Sequence, residues 1–134
     1  MTRAALRDSG PVTDANELDA HEQVTLLRRR EISAAELLDA HLDAVDRRNG
    51  EINALVAVDP DVGRRRAAAV DAAIAAGNDP GPLAGLVTAH KDLTETADFP
   101  TTYGSPVFAG HRPRADSLLV ERMTAAGAVA IAKT

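Results

Sequence analysis

The sequence predicts an α/β layer with at least some parallel strand pairing. Three observations carry that prediction. Helical and strand-like stretches alternate along the chain, the arrangement expected of strands joined by helical crossovers. Several helical stretches open with their own capping residues. Hydrophobic residues make up 45% and charged residues 26%, globular values that exclude a disordered chain. The 134 residues suffice for one domain with a real core and are short for two. Aromatics are confined to Phe99, Tyr103 and Phe108, so that core is built from Ala, Leu, Val and Ile.

Residues 1–15 read as a flexible leader, and 16–134 as the folded part. A helix is expected from about Asp19 to Arg30, with Leu18, Val24, Leu26 and Leu27 as apolar positions. Ser33 and Glu36 have the S-x-x-E spacing of a capping box. Leu38, Leu42 and Val45 follow at helical spacing, and Asn49-Gly50 is the expected stop. Ile52–Val58 reads as a short strand. Asp59-Pro60 pairs a capping residue with a first-turn proline, opening a helix that runs to Ala76 and stops at Gly77-Asn78. Leu86–His90 is a second strand. Residues 92–114, rich in Thr, Pro and Gly, form a long loop with a short turn near Val107; loops of that length in compact domains tend to carry function. Asp116 is the expected cap of a last helix that closes at Gly127, and AVAIAK is a final strand. Ending on an apolar strand predicts a sheet that is incomplete.

Composition narrows the function. The net charge of −5 argues against a nucleic-acid partner, which needs a basic excess. The arginine runs 28–30 and 64–66 have acids nearby and no interleaved aromatics, so they read as solvated faces. The absence of cysteine excludes disulfides, thiol chemistry and thiolate metal sites. His21, His41, His90 and His111 have no mutual spacing that builds a metal site, and no cofactor fingerprint is present. No apolar stretch reaches membrane-spanning length and no signal peptide opens the chain, so a cytoplasmic protein without a membrane partner is expected.

One residue stands out. Of 15 basic residues only Lys91 and Lys133 are lysines, and Lys91 follows the apolar run Leu86–Ala89. Arginine cannot shed its proton in a protein, whereas lysine does so when burial disfavours its charge. An ordinary lysine amine is neutral in about one molecule in 2,500 at pH 7. Making such an amine a working base calls for a dry surround worth about 4 to 5.5 kcal/mol. The plainer local reading is a strand-end lysine that reaches water or pairs with Asp92. Strand alternation sets Lys91 on the face opposite His90 and Asp92.

Three ordered blocks decide between these readings: GPLAGLVTAHKDL, FPTTYGSP, and RADSLLVERMTAAGAVAIAKT. They resemble the amidase signature family, whose members read G-P-L-x-G-[ILV]-P-x-x-x-K-D, then T-T-x-G-S, then A-A-G-A-x-x-x-G-K-T-N. The segment EISAAELLDAHLDAVDRRNGEINALVAV is similar to the family's lead-in. The resemblance runs from about residue 16 onward. It implies the first part of that fold, a mixed sheet covered by helices. It also implies a hydrolase that cleaves carboxylic amides through a Ser–cisSer–Lys triad without a cofactor. The triad's base falls on Lys91. The two serines lie further along in the family, and Ser9, Ser33, Ser105 and Ser117 have no Gly-rich surroundings. Ser33 reads as a helix cap and Ser117 as first-turn helix. Ser105 matches a family position near the site, and a Lys91–Ser105 dyad is the minor alternative. The chain is thus expected to supply the base, to be inactive alone, and to act on a small amide once a downstream segment completes it. The rival expectation is a non-catalytic truncated product that self-associates or binds a complementing chain. Two departures from the family pattern, Val87 for proline and Ala132 for glycine, put the local turn and close approach in question. Lys133 reads as structural.

Overall fold

The computed structural model describes residues 15–134. Four helices and three strands follow the predicted alternation: α1 (Ala20–Arg28), α2 (Ala34–Ile52), β1 (Ala57–Val58), α3 (Pro60–Ala75), β2 (Val87–His90), α4 (Leu118–Ala125) and β3 (Val129–Lys133). Two 3-10 turns, Ala15–Glu17 and Pro106–Phe108, complete the set among the described residues. The expected leader lies outside the described residues except for Ala15, which is buried in the core.

The sheet is mixed, in the order β1-β3-β2. The last strand in sequence is the central one. It pairs antiparallel with β1, Ala57 opposite Lys133, and parallel with β2, His90 opposite Lys133. All five β3 residues are buried, as a strand covered on both faces requires. Helices α2 and α3 pack together and α3 lies on β3. Leu27, Leu37, Leu38, Leu42, Val70, Val129 and Ile131 form the main core. Phe99, from the long loop, joins Val62 and Ala130 in a second apolar cluster. Gly63 lets α3 approach the strand: a Cβ there would stand 2.8 Å from the Ile131 Cγ2 methyl.

The caps explain most boundaries. Both Asp19 and Ser33 form complete capping boxes with Glu22 and Glu36. Asp71, from α3, adds a second cap to α2, its carboxylate accepting from the Ala34 and Ala35 amides at 2.7 and 3.1 Å. Asp59 caps α3, with Pro60 in its first turn.

Three boundaries differ from expectation. Asn49-Gly50 does not stop α2, which runs on to Ile52 and ends at Asn53 with a left-handed φ of 51°. Asn49 is instead a clasp: its side-chain amide donates to the Leu55 carbonyl and accepts from the Leu55 amide, each at 2.9 Å. The strand expected from Ile52 therefore shrinks to Ala57–Val58, although the Val56 and Asp59 amides also bond to β3 at 2.9 and 3.0 Å. Asp116 does not cap α4. Ser117 holds that position, and Asp116 turns to accept from the Ala97 amide at 2.7 Å, tying the long loop down. No helix among the described residues is long and apolar enough to cross a membrane.

Candidate functional site

The long loop after β2 does not hang free. Its first residues are zipped onto the end of β3: Thr134 N–H donates to the His90 carbonyl at 2.9 Å, and Asp92 N–H to the Thr134 carbonyl at 2.8 Å. A tight turn follows, with Thr94 N–H donating to the Lys91 carbonyl at 2.8 Å. The chain then returns, and Tyr103 N–H donates to the Asp92 carbonyl at 3.0 Å. Lys91 and Asp92 are thus held at the C-terminal end of parallel strands, the edge where open α/β sheets bind ligands.

A groove of about 520 Å³ opens here, lined by Val56, Lys91, Asp92, Tyr103, Ser105 and Thr134 among others. Tyr103 forms one wall. Its φ is 54°, unusual for a bulky residue. Its hydroxyl donates to Glu95 at 2.8 Å, and its ring meets Phe108 edge-on at 5.3 Å and stacks on His111 at 6.0 Å. The bond to the Glu95 carboxylate, with some burial, pushes the Tyr103 phenol up.

Lys91 corrects the sequence reading of its surroundings. The apolar run before it predicts a dry segment, yet its side chain is exposed. The reason is topological: β2 is an edge strand in which only His90 is buried, and Lys91 lies one residue past its end. Alternation holds, since His90 is buried and Lys91 faces out. No carboxylate among the described residues forms an ion pair with Lys91. Asp92 is engaged elsewhere: its Oδ1 accepts from the Thr102 amide at 2.9 Å and its Oδ2 from the Thr102 hydroxyl, while Lys133 Nζ lies 3.9 Å from Oδ1. Burial pushes the Asp92 carboxyl up, but the Thr102 bonds, the Lys133 charge and the Gly104 amide outweigh it and hold it below its ordinary value.

The buried lysine is Lys133. Its side chain has no exposed surface. All three ammonium donors are used, on the Thr94 carbonyl at 2.5 Å, Thr101 Oγ1 at 2.9 Å and Thr96 Oγ1 at 3.2 Å. Burial pushes its amine below the ordinary value, and Asp92 and Asp116 oppose that push. The same burial, with the Lys133 and Arg66 charges, disfavours protonation of His90. Lys133 thus pins residues 94–101 beneath the groove. Lysine scarcity in the sequence singles out Lys91 and Lys133 alike and does not say which is buried; the three threonine partners of Lys133 are legible there only as composition.

Of the serines, Ser33 is spent on its capping box. Ser117 Oγ is buried without a hydrogen-bond partner among the described residues. Ser105 lines the groove with Lys91. Ser9 lies outside the described residues.

A profile of the family described as Amidase matches residues 36–134. The chain belongs to the amidase signature family. It is 45% identical over 123 residues to a glutamyl-tRNA(Gln) amidotransferase subunit of Salinispora arenicola, covering 92% of this chain and 25% of that protein. With the corresponding subunit of Bordetella pertussis the identity is 46% over 107 residues, covering 80% of this chain and 20% of that one. The peptide amidase of Stenotrophomonas maltophilia superposes with a TM-score of 0.82 at 31% identity, covering 91% of this chain and 25% of the other. A bacterial aryl acylamidase of the amidase signature family does so with 0.82 at 28%, covering 87% and 25%. This amidase-signature chain therefore spans about a quarter of the length of those relatives.

Proposed function

We propose that this chain supplies the lysine base, Lys91, to a Ser–cisSer–Lys site that cleaves carboxylic amides. The two serines would come from the part of the family fold that these residues do not span. The observation that carries the reading is the placement of Lys91: an amine at a groove on the C-terminal edge of the sheet, with its neighbouring carboxylate turned onto Thr102 and Lys133. In the complete site the Lys91 amine accepts a proton from the relaying serine, which takes one from the nucleophilic serine. The nucleophile attacks the amide carbonyl carbon, the C–N bond breaks, and the amine leaves with a proton. Water then hydrolyses the acyl ester and restores the serine. The dehydration a lysine base requires would be completed when the serine-bearing segment packs over the groove. The names of the peptide amidase and the aryl acylamidase point to carboxylic amides as the substrate class.

The test is a chimera in which residues 16–134 replace the matching quarter of the Stenotrophomonas peptide amidase. The chimera should release ammonia from a peptide amide. Lys91→Ala and Lys91→Arg should each lower kcat by about 10² to 10⁴, the contribution of a positioned general base. Retained turnover in Lys91→Ala would sink the assignment. The 134-residue chain alone should be inactive; Lys91-dependent turnover by it would favour the Lys91–Ser105 dyad instead.

A second reading is a non-catalytic chain that associates through its apolar surface. Val56, Leu93, Val107 and Phe108 are exposed around the groove, and Leu118 and Leu119 on α4. It predicts dye binding and concentration-dependent self-association, measured by sedimentation. A monomer that binds no dye would count against it.

A further inference from the structure

Lys133 is the one fully buried lysine side chain among the described residues, and it lies beneath the residue pair that the amide-cleaving reading depends on. Lys91 and Asp92 line the same groove. An unrestrained Asp92 carboxylate at that surface would have a neighbouring ammonium to turn to. Two clamps oppose this. Thr102 engages both carboxylate oxygens, Oδ1 through its amide and Oδ2 through its hydroxyl, and Gly104 N–H donates to that hydroxyl at 3.2 Å, orienting it. From below, the Lys133 ammonium approaches Oδ1 to 3.9 Å. Lys133 is itself held in place, because Thr94, Thr96 and Thr101 take its three donors. The central strand therefore presents a fixed positive charge to the buried side of Asp92.

We propose that Lys133 is a positioning residue: with Thr102, its fixed ammonium holds the Asp92 carboxylate off the groove, so that the Lys91 amine stays clear of an ion pair. The proposal deepens the reading of Lys91 as a base and draws its catalytic meaning from it. A carboxylate that paired with Lys91 would keep that amine cationic and unable to accept a proton. Lys133 takes no part in the reaction itself. It acts on Lys91 only through Asp92.

The test is competitive labelling of the 134-residue chain with trace acetic anhydride at fixed pH, read by mass spectrometry as the ratio of Lys91 to N-terminal amine modification. Only the neutral amine reacts, and Lys133, being buried, is an internal negative control. Lys133→Met and Thr102→Val should each lower the ratio about threefold, the size that an exposed lysine–carboxylate pair supports. Adding Asp92→Asn to either should restore it. A general loosening of the fold would not be reversed by Asp92→Asn, so the restoration separates positioning from mere support. An unchanged ratio, or a fall that Asp92→Asn leaves in place, overturns the proposal. Where Lys133→Met does not fold, Thr102→Val with and without Asp92→Asn decides it, because Thr102 is only half-buried. The labelling ratio does not depend on turnover, so a chimera without Lys91-dependent activity would refute the base assignment and leave this result standing.

Discussion

The two lysines should answer substitution in opposite ways. In Lys133→Met the stem keeps its volume and loses the ammonium. The part-buried Thr94 carbonyl then loses its short bond but keeps the Thr101 hydroxyl at 3.4 Å, so the loss is about 1 kcal/mol. Thr96 and Thr101 lose little, since their hydroxyls still face the Phe99 and Thr94 carbonyls at 3.4 Å. Asp92 loses a counter-charge at 3.9 Å but keeps Thr102 and a side chain 12% exposed, so at most about 1 kcal/mol is at stake. Relief of the buried charge offsets part of this, leaving a net loss of up to about 2 kcal/mol. Lys133→Arg should be worse by at least about 1 kcal/mol, because a guanidinium overfills a niche with no exposed surface and cannot match three acceptors set for an ammonium. Lys91→Arg, at an exposed position, should change stability by less than about 0.5 kcal/mol. The assay is thermal unfolding followed by far-UV circular dichroism, with Tm falling roughly 3 to 5 °C per kcal/mol. Lys133→Arg as stable as the parent, or more stable than Lys133→Met, would refute the three-acceptor account.

The pH dependence adds a second signature of the same pocket. Lys133 releases its proton more readily in the folded state than in the unfolded one, so stability should rise as pH climbs from its folded-state value toward the ordinary 10.5, and Lys133→Met should abolish that rise. The Asp92 carboxyl is held below its ordinary 3.8, so its stabilisation is present above that value and lost as pH falls through the folded-state one; Asp92→Asn should flatten the acid limb of the unfolding profile. Asp71→Ala removes the carboxylate that bridges α3 to the first amides of α2, and denaturant titration should show a loss of about 1 to 2 kcal/mol. Gly127→Ala places a Cβ at a φ of 93° and against the Pro80 and Ala84 backbone, so thermal unfolding should show a loss of more than about 2 kcal/mol.

Local chemistry is legible wherever a residue's partner lies within a turn of it. The Ser33–Glu36 box and the Asp59-Pro60 start need only their own neighbours, and both stand where the spacing puts them. Asn49, Asp116 and Lys91 mislead for one shared reason: each has the composition of a local signal, while its contacts or exposure depend on residues beyond its own turn. Asn49 reads as a stop because Gly50 follows it, yet it spends its amide on Leu55 and the helix passes through. Asp116 reads as a cap and spends its carboxylate on Ala97, 19 residues away in sequence.

By itself the sequence determined the alternation of elements, the family and the lysine placed at the end of β2, because periodicity, caps and ordered motif blocks are properties of neighbouring residues. Only the tertiary structure decided which lysine is dry. β3 lies between β1 and β2, covered on both faces, so the ammonium at its end is sealed among three threonines, while Lys91 at the sheet's edge meets water. Burial is a property of what packs over a residue, and strand order is written in pairings between segments that the sequence holds more than thirty residues apart.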